Sequence, residues 1–187
     1  MKIFGAITAI FLASCSVTSA LTADEQAQID QPSPELLEQL NALAPPAIKW
    51  LNQVASAMET HARQLNSQEQ VLAKEVGVMD PTSVRIALVE EMPLPHEEPL
   101  RTMALKLGYG NQSIAGGSIG HLVWINKRHA GNRALLAHEL VHVAQQEHMS
   151  QEQYFRRYMV ELAVVGYARS PLEVEANAVM PRYHDLH

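Results

Sequence analysis

Hydrophobic residues recur at helical spacing through the first half of the chain. Ser33 and Pro34 form a helix-start signal, because serine caps a helix N-terminus and proline fits the first turn. A leucine stripe follows, and we expect this helix to stop at Pro45-Pro46. The stripe resumes beyond the prolines and predicts a second helix over 47–65. Together with a short helix near 68–75, the segment 33–76 is predicted to form a helical N-terminal layer.

The pattern changes from residue 83 onward. Apart from Arg85, residues 84–89 are apolar, and they are rich in β-branched side chains, which predicts a strand covered on both faces. The elements predicted after it are a helix over 100–107, a Gly/Ser loop over 111–120, a strand over 121–126, and helices over 132–148, 151–165 and from 170 onward. This mixture predicts an α+β fold for the domain 83–187.

The first twenty residues have the pattern of an export signal. Lys2 precedes an apolar run over 3–13, which is too short to span a bilayer, and small residues follow it. Cleavage after Ala20 would make this an ordinary signal peptide. Cleavage before Cys15, at a sequence that resembles a bacterial lipobox, would leave a lipidated cysteine and a membrane anchor. The polar segment 21–32 is then predicted to be a tether.

Composition narrows the choice of function. The chain has 187 residues, enough for one ordinary domain, and its formal net charge of -6 argues against a protein held to nucleic acid by phosphate contacts. Its single cysteine, Cys15, excludes both an intramolecular disulfide and a cysteine-based zinc knuckle.

The candidate chemistry lies in the predicted helix 132–148. His138 and His142 are four residues apart, so both imidazoles can reach one metal ion from the same helical face. Glu139, next to the first histidine, is placed to reach a water molecule on that ion. A catalytic zinc ion lowers the pKa of such a water, and a carboxylate can remove its proton. Zn²⁺ is therefore the expected cofactor.

A catalytic zinc site also needs a third protein ligand, and three residues compete for that role. His148 is the weakest candidate, because a continuous helix would place it about 9 Å beyond His142 along the axis. The segment 170–178 offers Glu173 and Glu175. Glu173 could also serve a capping box that begins at Ser170.

At this segment the chain resembles the gluzincin group of zinc metallopeptidases, in which a glutamate on a later helix completes the site. Glu173 and Asn177 match the register of that helix. The resemblance implies that Glu173 binds zinc and that Asn177 supports a zinc-binding histidine. It also implies a minimal zincin-like domain, with a small sheet packed on the helix that carries His138 and His142, and an N-terminal helical layer added to it.

The resemblance further implies a cleft. In minimal zincins the strand before the active-site helix forms the cleft rim, a position held here by residues 121–126, with Gly116-Gly117 leaving space for a partner backbone. The reaction also needs a donor to the developing oxyanion. The downstream donors available are Tyr154, Tyr158, Tyr167 and His184, of which Tyr167 is nearest in sequence to the glutamate helix.

These observations predict an exported zinc metallopeptidase of the bacterial cell envelope, with a peptide or protein substrate and no nucleic-acid partner. Glu139 would be its general base, and a lipidated Cys15 would anchor it to a membrane. Two alternatives stay open. One is a zinc hydrolase of a non-protein or cell-wall amide, and the other is a non-enzymatic envelope protein that keeps the metal site for binding.

Overall fold

A computed structural model describes residues 20–106 and 114–184, and over these residues the fold is α+β. Residues 1–19 of the predicted leader, including Cys15, lie outside the described residues. The elements are α1 (Ala23–Asp30), α2 (Pro34–Glu59), β1 (Arg63–Gln64), α3 (Ser67–Glu75), β2 (Arg85–Val89), α4 (Leu100–Lys106), β3 (Gly116–Ile119), β4 (Leu122–Asn126), α5 (Arg133–Glu147), α6 (Gln151–Val165) and α7 (Pro171–Val179). Short 3-10 turns follow β4, α6 and α7.

The four strands form one sheet in the order β1-β2-β4-β3, in which β2 and β4 are parallel and the other pairs antiparallel. Both faces of the sheet are covered, as the apolar pattern predicts. Ile86 and Val123 pack with α3 and α5 on one face, whereas Ala87 and Trp124 pack against α2 on the other. The sheet therefore lies between the helix that carries the two histidines and the N-terminal helical layer.

Helix α5 is buried on nearly every side. The side chain of Asn132 accepts a hydrogen bond from the backbone N–H of Leu135 at 2.9 Å and caps the helix, which confirms that the helix predicted over 132–148 begins here. The helix packs against the sheet through β3 and β4 and against α7. Polar side chains on its inward face therefore have to find partners inside the protein.

Helix α2 corrects the expectation that Pro45-Pro46 ends a helix. It runs without interruption through both prolines, although an interior proline costs about 3 kcal/mol in lost hydrogen bonding and steric conflict. Leu40, Ala44 and Ala47 are buried on either side of the prolines, and α2 packs against α6 along this stretch. The burial of apolar side chains on both sides of the prolines outweighs the free-energy cost of placing proline inside a helix. The helix then ends at Glu59, before the predicted boundary at residue 65.

The predicted tether also contains structure, because α1 forms within residues 21–32. Thr22 and Glu25 make a reciprocal capping box at its start. The guanidinium of Arg169 donates to both carboxylate oxygens of Glu25, at 2.6 and 2.7 Å, and α1 packs beside α6. The composition of the segment indicated only a polar linker and did not show these two contacts.

The predicted cleft-rim strand is wrong in its position. Strand β4 is interior, paired with β2 on one side and with β3 on the other. The edge strand on this side of the sheet is β3, which lies within the segment predicted as a loop. A Cβ atom at Gly117 would lie 2.6 Å from the indole of Trp124, so glycine is required here for close packing. Glycine-rich composition predicts a loop, and only the pairing with β4 makes this segment a strand.

No helix among the described residues combines the length and apolar character needed to cross a bilayer.

Candidate metal centre

The site begins on α5, where His138, Glu139 and His142 project into the protein interior. Each of the three is at most 6% exposed. Leu136, Leu140 and Val143, on the neighbouring faces of the helix, belong to the core beneath the sheet. The apolar flanks therefore hold α5 in place while its polar face points toward α7.

Glu173 reaches the site from the first turn of α7. Ser170 caps this helix and Pro171 occupies its first turn, so the predicted start is confirmed. The carboxylate of Glu161 on α6, which is fully buried, accepts hydrogen bonds from the Ser170 hydroxyl at 2.7 Å and from the Leu172 N–H at 3.0 Å. Glu161 thereby fixes the beginning of α7 and with it the position of Glu173.

The three candidate ligand side chains converge at one point. The Nε2 atoms of His138 and His142 are 3.2 Å apart, and each lies 3.4 Å from a carboxylate oxygen of Glu173. A tetrahedral ion with bonds of about 2.0–2.1 Å holds its ligand atoms about 3.3 Å apart. The distance between the two nitrogens, and the distance from each nitrogen to the nearer oxygen of Glu173, are therefore close to the ligand spacing of such an ion, with a different carboxylate oxygen facing each histidine.

The chemistry of the donors also fits a metal ion. Two imidazole nitrogens and one carboxylate oxygen form a cluster of donor atoms, all within 4.8 Å of one another. Glu173 Oε2 is buried and makes no hydrogen bond to any described residue. Burying a carboxylate oxygen without a hydrogen-bond donor costs free energy of folding. A cation bound by this oxygen and the two imidazole nitrogens would remove that cost. The cluster could thus hold a metal ion.

Charges in the cluster are strongly coupled. Burial alone would favour the neutral form of Glu173, but the two histidines, whose Nε2 atoms lie 3.4 Å from its oxygens, outweigh burial and hold its pKa well below the usual range. Burial likewise disfavours the charged form of His142, yet Glu173 outweighs it and raises the pKa of His142 to about 9. Glu173 therefore provides the negative charge around which the site is organised.

Glu139 occupies a different environment from Glu173. Burial raises its pKa, and the charge of Glu173 adds to this effect, whereas the two histidines act against it. The carboxylate lies directly against the edge strand, because a Cβ atom at Gly116 would be 2.6 Å from Glu139 Oε1. A carboxylate with a raised pKa beside a metal site is suited to accept and return a proton.

Two of the four candidate donors reach the site. The hydroxyl of Tyr158 donates to Glu173 Oε1 at 2.7 Å, and that of Tyr154 lies 3.2 Å from Nδ1 of His142. Tyr167, which is nearest in sequence, lies in the turn before α7, and His184 is exposed near the chain end. Tyr154 and Tyr158 are one helical turn apart on α6, so proximity in the fold, not in sequence, selects them.

The alternative ligands do not join the cluster. His148 is exposed at the C-cap of α5, because the helix continues to Glu147 as its composition predicts. Glu175 points toward α5, where its Oε2 accepts from the side-chain amide of Gln145 at 2.9 Å. Among the described residues, the metal cluster contains Glu173 and neither alternative.

Asn177 does not support a histidine as the resemblance implies. Its side chain is exposed, and no hydrogen bond joins it to His138 or His142. Gln145 does this for His142 instead, with its Oε1 2.8 Å from Nδ1 of the ring. Nδ1 of His138 is buried and has no hydrogen-bond partner among the described residues.

Sequence reasoning therefore missed Gln145 and Glu161. Gln145 follows His142 by three positions on the same helix, and this spacing was an available signal. The sequence offered little indication of a role for Glu161, since a glutamate within the predicted helix 151–165 is expected to be exposed to solvent. Its burial depends on where α7 begins, which local sequence does not show.

Comparison with models of known families matches residues 115–150 to the eCIS core domain, where eCIS denotes an extracellular contractile injection system. The match covers under half of the chain but includes β3, β4 and all of α5, and with them His138, Glu139 and His142. No zincin family model matches. No curated protein and no solved structure matches the chain.

Proposed function

We propose that this protein is a zinc-dependent hydrolase that cleaves peptide bonds, of the gluzincin type. The observation that carries the proposal is the placing of Nε2 of His138, Nε2 of His142 and the Glu173 carboxylate 3.2–3.4 Å apart, with Glu139 buried beside them. Two imidazoles and one carboxylate are a donor set typical of catalytic zinc, and they leave a coordination position open.

Each residue would have a separate task. Zinc, when bound, would supply Lewis-acid activation of water and of the substrate carbonyl. Glu139, with its raised pKa, would take a proton from the attacking water and return it to the leaving amine. Tyr158, which donates to Glu173, would hold that carboxylate in the orientation that presents an oxygen to each histidine.

The edge strand supports a peptide as the substrate. Among the described residues, strand β3 pairs with β4 on one side and with no strand on the other, and Gly116 lies against Glu139. An extended peptide that added to the free side of β3 would pass beside the carboxylate that moves the proton. A substrate without an extended backbone could not form backbone hydrogen bonds with β3. Hydrolysis rates measured on linear peptides and on cell-wall amides therefore test the substrate class, and we expect the linear peptides to be cleaved faster.

Glu139→Gln is the decisive substitution, because it removes the base and keeps the size and the metal ligands. We expect wild-type levels of bound zinc and a loss of peptide hydrolysis of about 10²–10⁴-fold or more. Glu152→Gln, which neutralises an exposed carboxylate on α6, is the matched control and should keep full activity. Hydrolysis by the Glu139→Gln variant at the wild-type rate would overturn the mechanism.

A protein that binds one equivalent of zinc and cleaves nothing in a broad peptide and amide panel would instead be a non-enzymatic metal-containing binding protein. The match to the eCIS core domain suggests a partner for such a binding protein, because residues 115–150 are similar to a domain of extracellular contractile injection systems. Copurification of the tagged chain with injection-system particles, compared with a strain that lacks them, tests this second role.

Export to the bacterial envelope remains part of the proposal and rests on residues 1–20. Lipidation at Cys15 would place the protein in the membrane fraction, and Cys15→Ser would release it. If the wild-type protein and the variant distribute identically between soluble and membrane fractions, cleavage after Ala20 becomes the better prediction.

A further inference from the structure

We propose that Gln145 is a positioning residue that sets the tautomer of His142 and ties it to the helix carrying Glu173, with Glu175 holding Gln145 in place. The inference rests on the proposed metal centre and goes beyond it, since it assigns roles to two residues outside the ligand set. Gln145 is almost fully buried between α5 and α7.

The hydrogen bonds of Gln145 determine which way its amide faces. Its Nε2 donates to the backbone carbonyl of Leu172 at 3.0 Å and to Glu175 Oε2 at 2.9 Å. A backbone carbonyl can only accept, so the nitrogen of the amide has to be on this side. Both of its protons are then used, and the remaining atom, Oε1, faces His142.

The orientation of the amide in turn determines the tautomer of the histidine. Oε1 lies 2.8 Å from Nδ1 of His142 and can only accept, so Nδ1 has to carry a proton. The Tyr154 hydroxyl, 3.2 Å from the same nitrogen, can serve as a second acceptor. The lone pair needed for metal binding is thereby directed to Nε2, which faces His138 and Glu173.

The same amide connects the two helices that supply ligands. Leu172, whose carbonyl accepts from Gln145, directly precedes Glu173 in the first turn of α7. A shift of α7 would therefore disturb the partner of His142 as well as Glu173. Gln145 holds one histidine and the carboxylate ligand in a common frame, a task that Asn177 cannot perform from its exposed position.

Zinc affinity, measured by competition with a chromophoric chelator, tests the positioning role. Gln145→Met keeps the approximate size of the side chain and removes both the donor and the acceptor. We expect it to weaken zinc binding about 10–100-fold, as loss of an outer partner of a metal-binding histidine does. Asn177→Ala is the matched control and should bind zinc within about twofold of wild type, because this exposed side chain makes no hydrogen bond to either histidine.

Rescue separates positioning from a general loss of packing. In the double variant Gln145→Glu with Glu175→Gln, the new carboxylate can still accept from Nδ1 of His142 and from the new amide at position 175, but it cannot donate to the Leu172 carbonyl. We expect this pair to recover the part of the zinc affinity that depends on the orientation of His142, so that it binds zinc more tightly than Gln145→Met and less tightly than wild type. Zinc binding by Gln145→Met at the wild-type affinity, or no better binding by the double variant than by Gln145→Met, would overturn the proposal.

The tautomer is measured on the unaltered protein by ¹⁵N NMR of labelled histidine, loaded with zinc. We expect a protonated Nδ1 and a metal-bound Nε2 for His142, and the reverse assignment would disprove the inference without any variant. Wild-type protein that binds no zinc would refute the metal centre itself. Wild-type protein that binds zinc but hydrolyses nothing would refute only the catalytic function and leave the tautomer and affinity tests valid.

Discussion

The two helices that form the candidate site are held in place by different kinds of contact. Eleven of the fifteen residues of α5 are buried, and most of them are apolar. Only three of the nine residues of α7 are buried, and its start is held by hydrogen bonds in which Glu161 accepts from Ser170 and Leu172 and Gln145 donates to the Leu172 carbonyl. Apolar packing tolerates small shifts, whereas buried hydrogen bonds specify one geometry. The histidines are thus set by the core and the glutamate by a polar network.

The largest effect is expected from a cavity beneath α5. Leu140→Ala removes a fully buried side chain in the core shared with the sheet, and it should lower the free energy of unfolding by about 3–5 kcal/mol. Urea denaturation measures this loss. Leu135→Ala, on a half-buried position of the same helix, is the control and should cost clearly less. If both variants lowered the free energy of unfolding by the same amount, the conclusion that the core beneath the sheet holds α5 in place would be wrong.

Zinc should then join the two helices directly. At a free concentration of 100–1,000 times its dissociation constant, zinc should stabilise the fold by about 3–4 kcal/mol, since it binds the folded state alone. The thermal midpoint with and without a chelator measures this change. Glu173→Gln should abolish most of the stabilisation, because the glutamine lacks the charge that organises the cluster. A variant that zinc stabilises as strongly as wild type would exclude Glu173 as a ligand.

The polar anchor of α7 is tested at Glu161. Glu161→Met leaves the Ser170 hydroxyl and the Leu172 N–H without an acceptor in a buried place, and it should cost about 1–3 kcal/mol. It should also weaken zinc binding, as Glu173 loses its position. Glu152→Gln, which neutralises an exposed carboxylate on the same helix, is the control and should change both quantities little. A loss of stability with unchanged zinc affinity would show that α7 keeps its place without Glu161.

The smallest effect is expected at the contact between α1 and the turn before α7. Hydrogen bonds from Arg169 and the Thr22 backbone lower the pKa of Glu25 from its ordinary 4.5 to about 2. Because the folded-state pKa is depressed, the contact stabilises the protein above pH 4.5 and loses its effect as the pH falls toward 2. Glu25→Gln should lower the thermal midpoint by about 1–2 °C at pH 7.

The difference between the thermal midpoints of wild type and Glu25→Gln, measured from pH 7 to pH 2, checks this dependence. It should shrink steadily below pH 4.5 and vanish near pH 2. A difference that stayed constant over the whole range would show that the charge of Glu25 does not hold α1 to Arg169.

Much of the fold could be predicted because the signals are local. The cap at Asn132 and the start of α7 at Ser170 depend on side chains that bond to the backbone three residues away. Strand β2 could be predicted because β-branched apolar residues suit a covered sheet. Predictions failed where distant contacts override local preference. Pro45-Pro46 lies inside a helix that α6 supports, and Gly116-Gly117 forms a strand through its pairing with β4.

The candidate site divides in the same way. By itself, the sequence determined that His138 and His142 share a helical face and that Glu139 lies next to it, because a helix repeats every 3.6 residues whatever surrounds it. It also narrowed the third ligand to a few residues. Only the tertiary structure decided that Glu173 faces the histidines, that Glu175 and Gln145 lie behind His142, and that Tyr158 reaches the carboxylate. Contacts between α5, α6 and α7 depend on how three helices pack, which no local pattern contains.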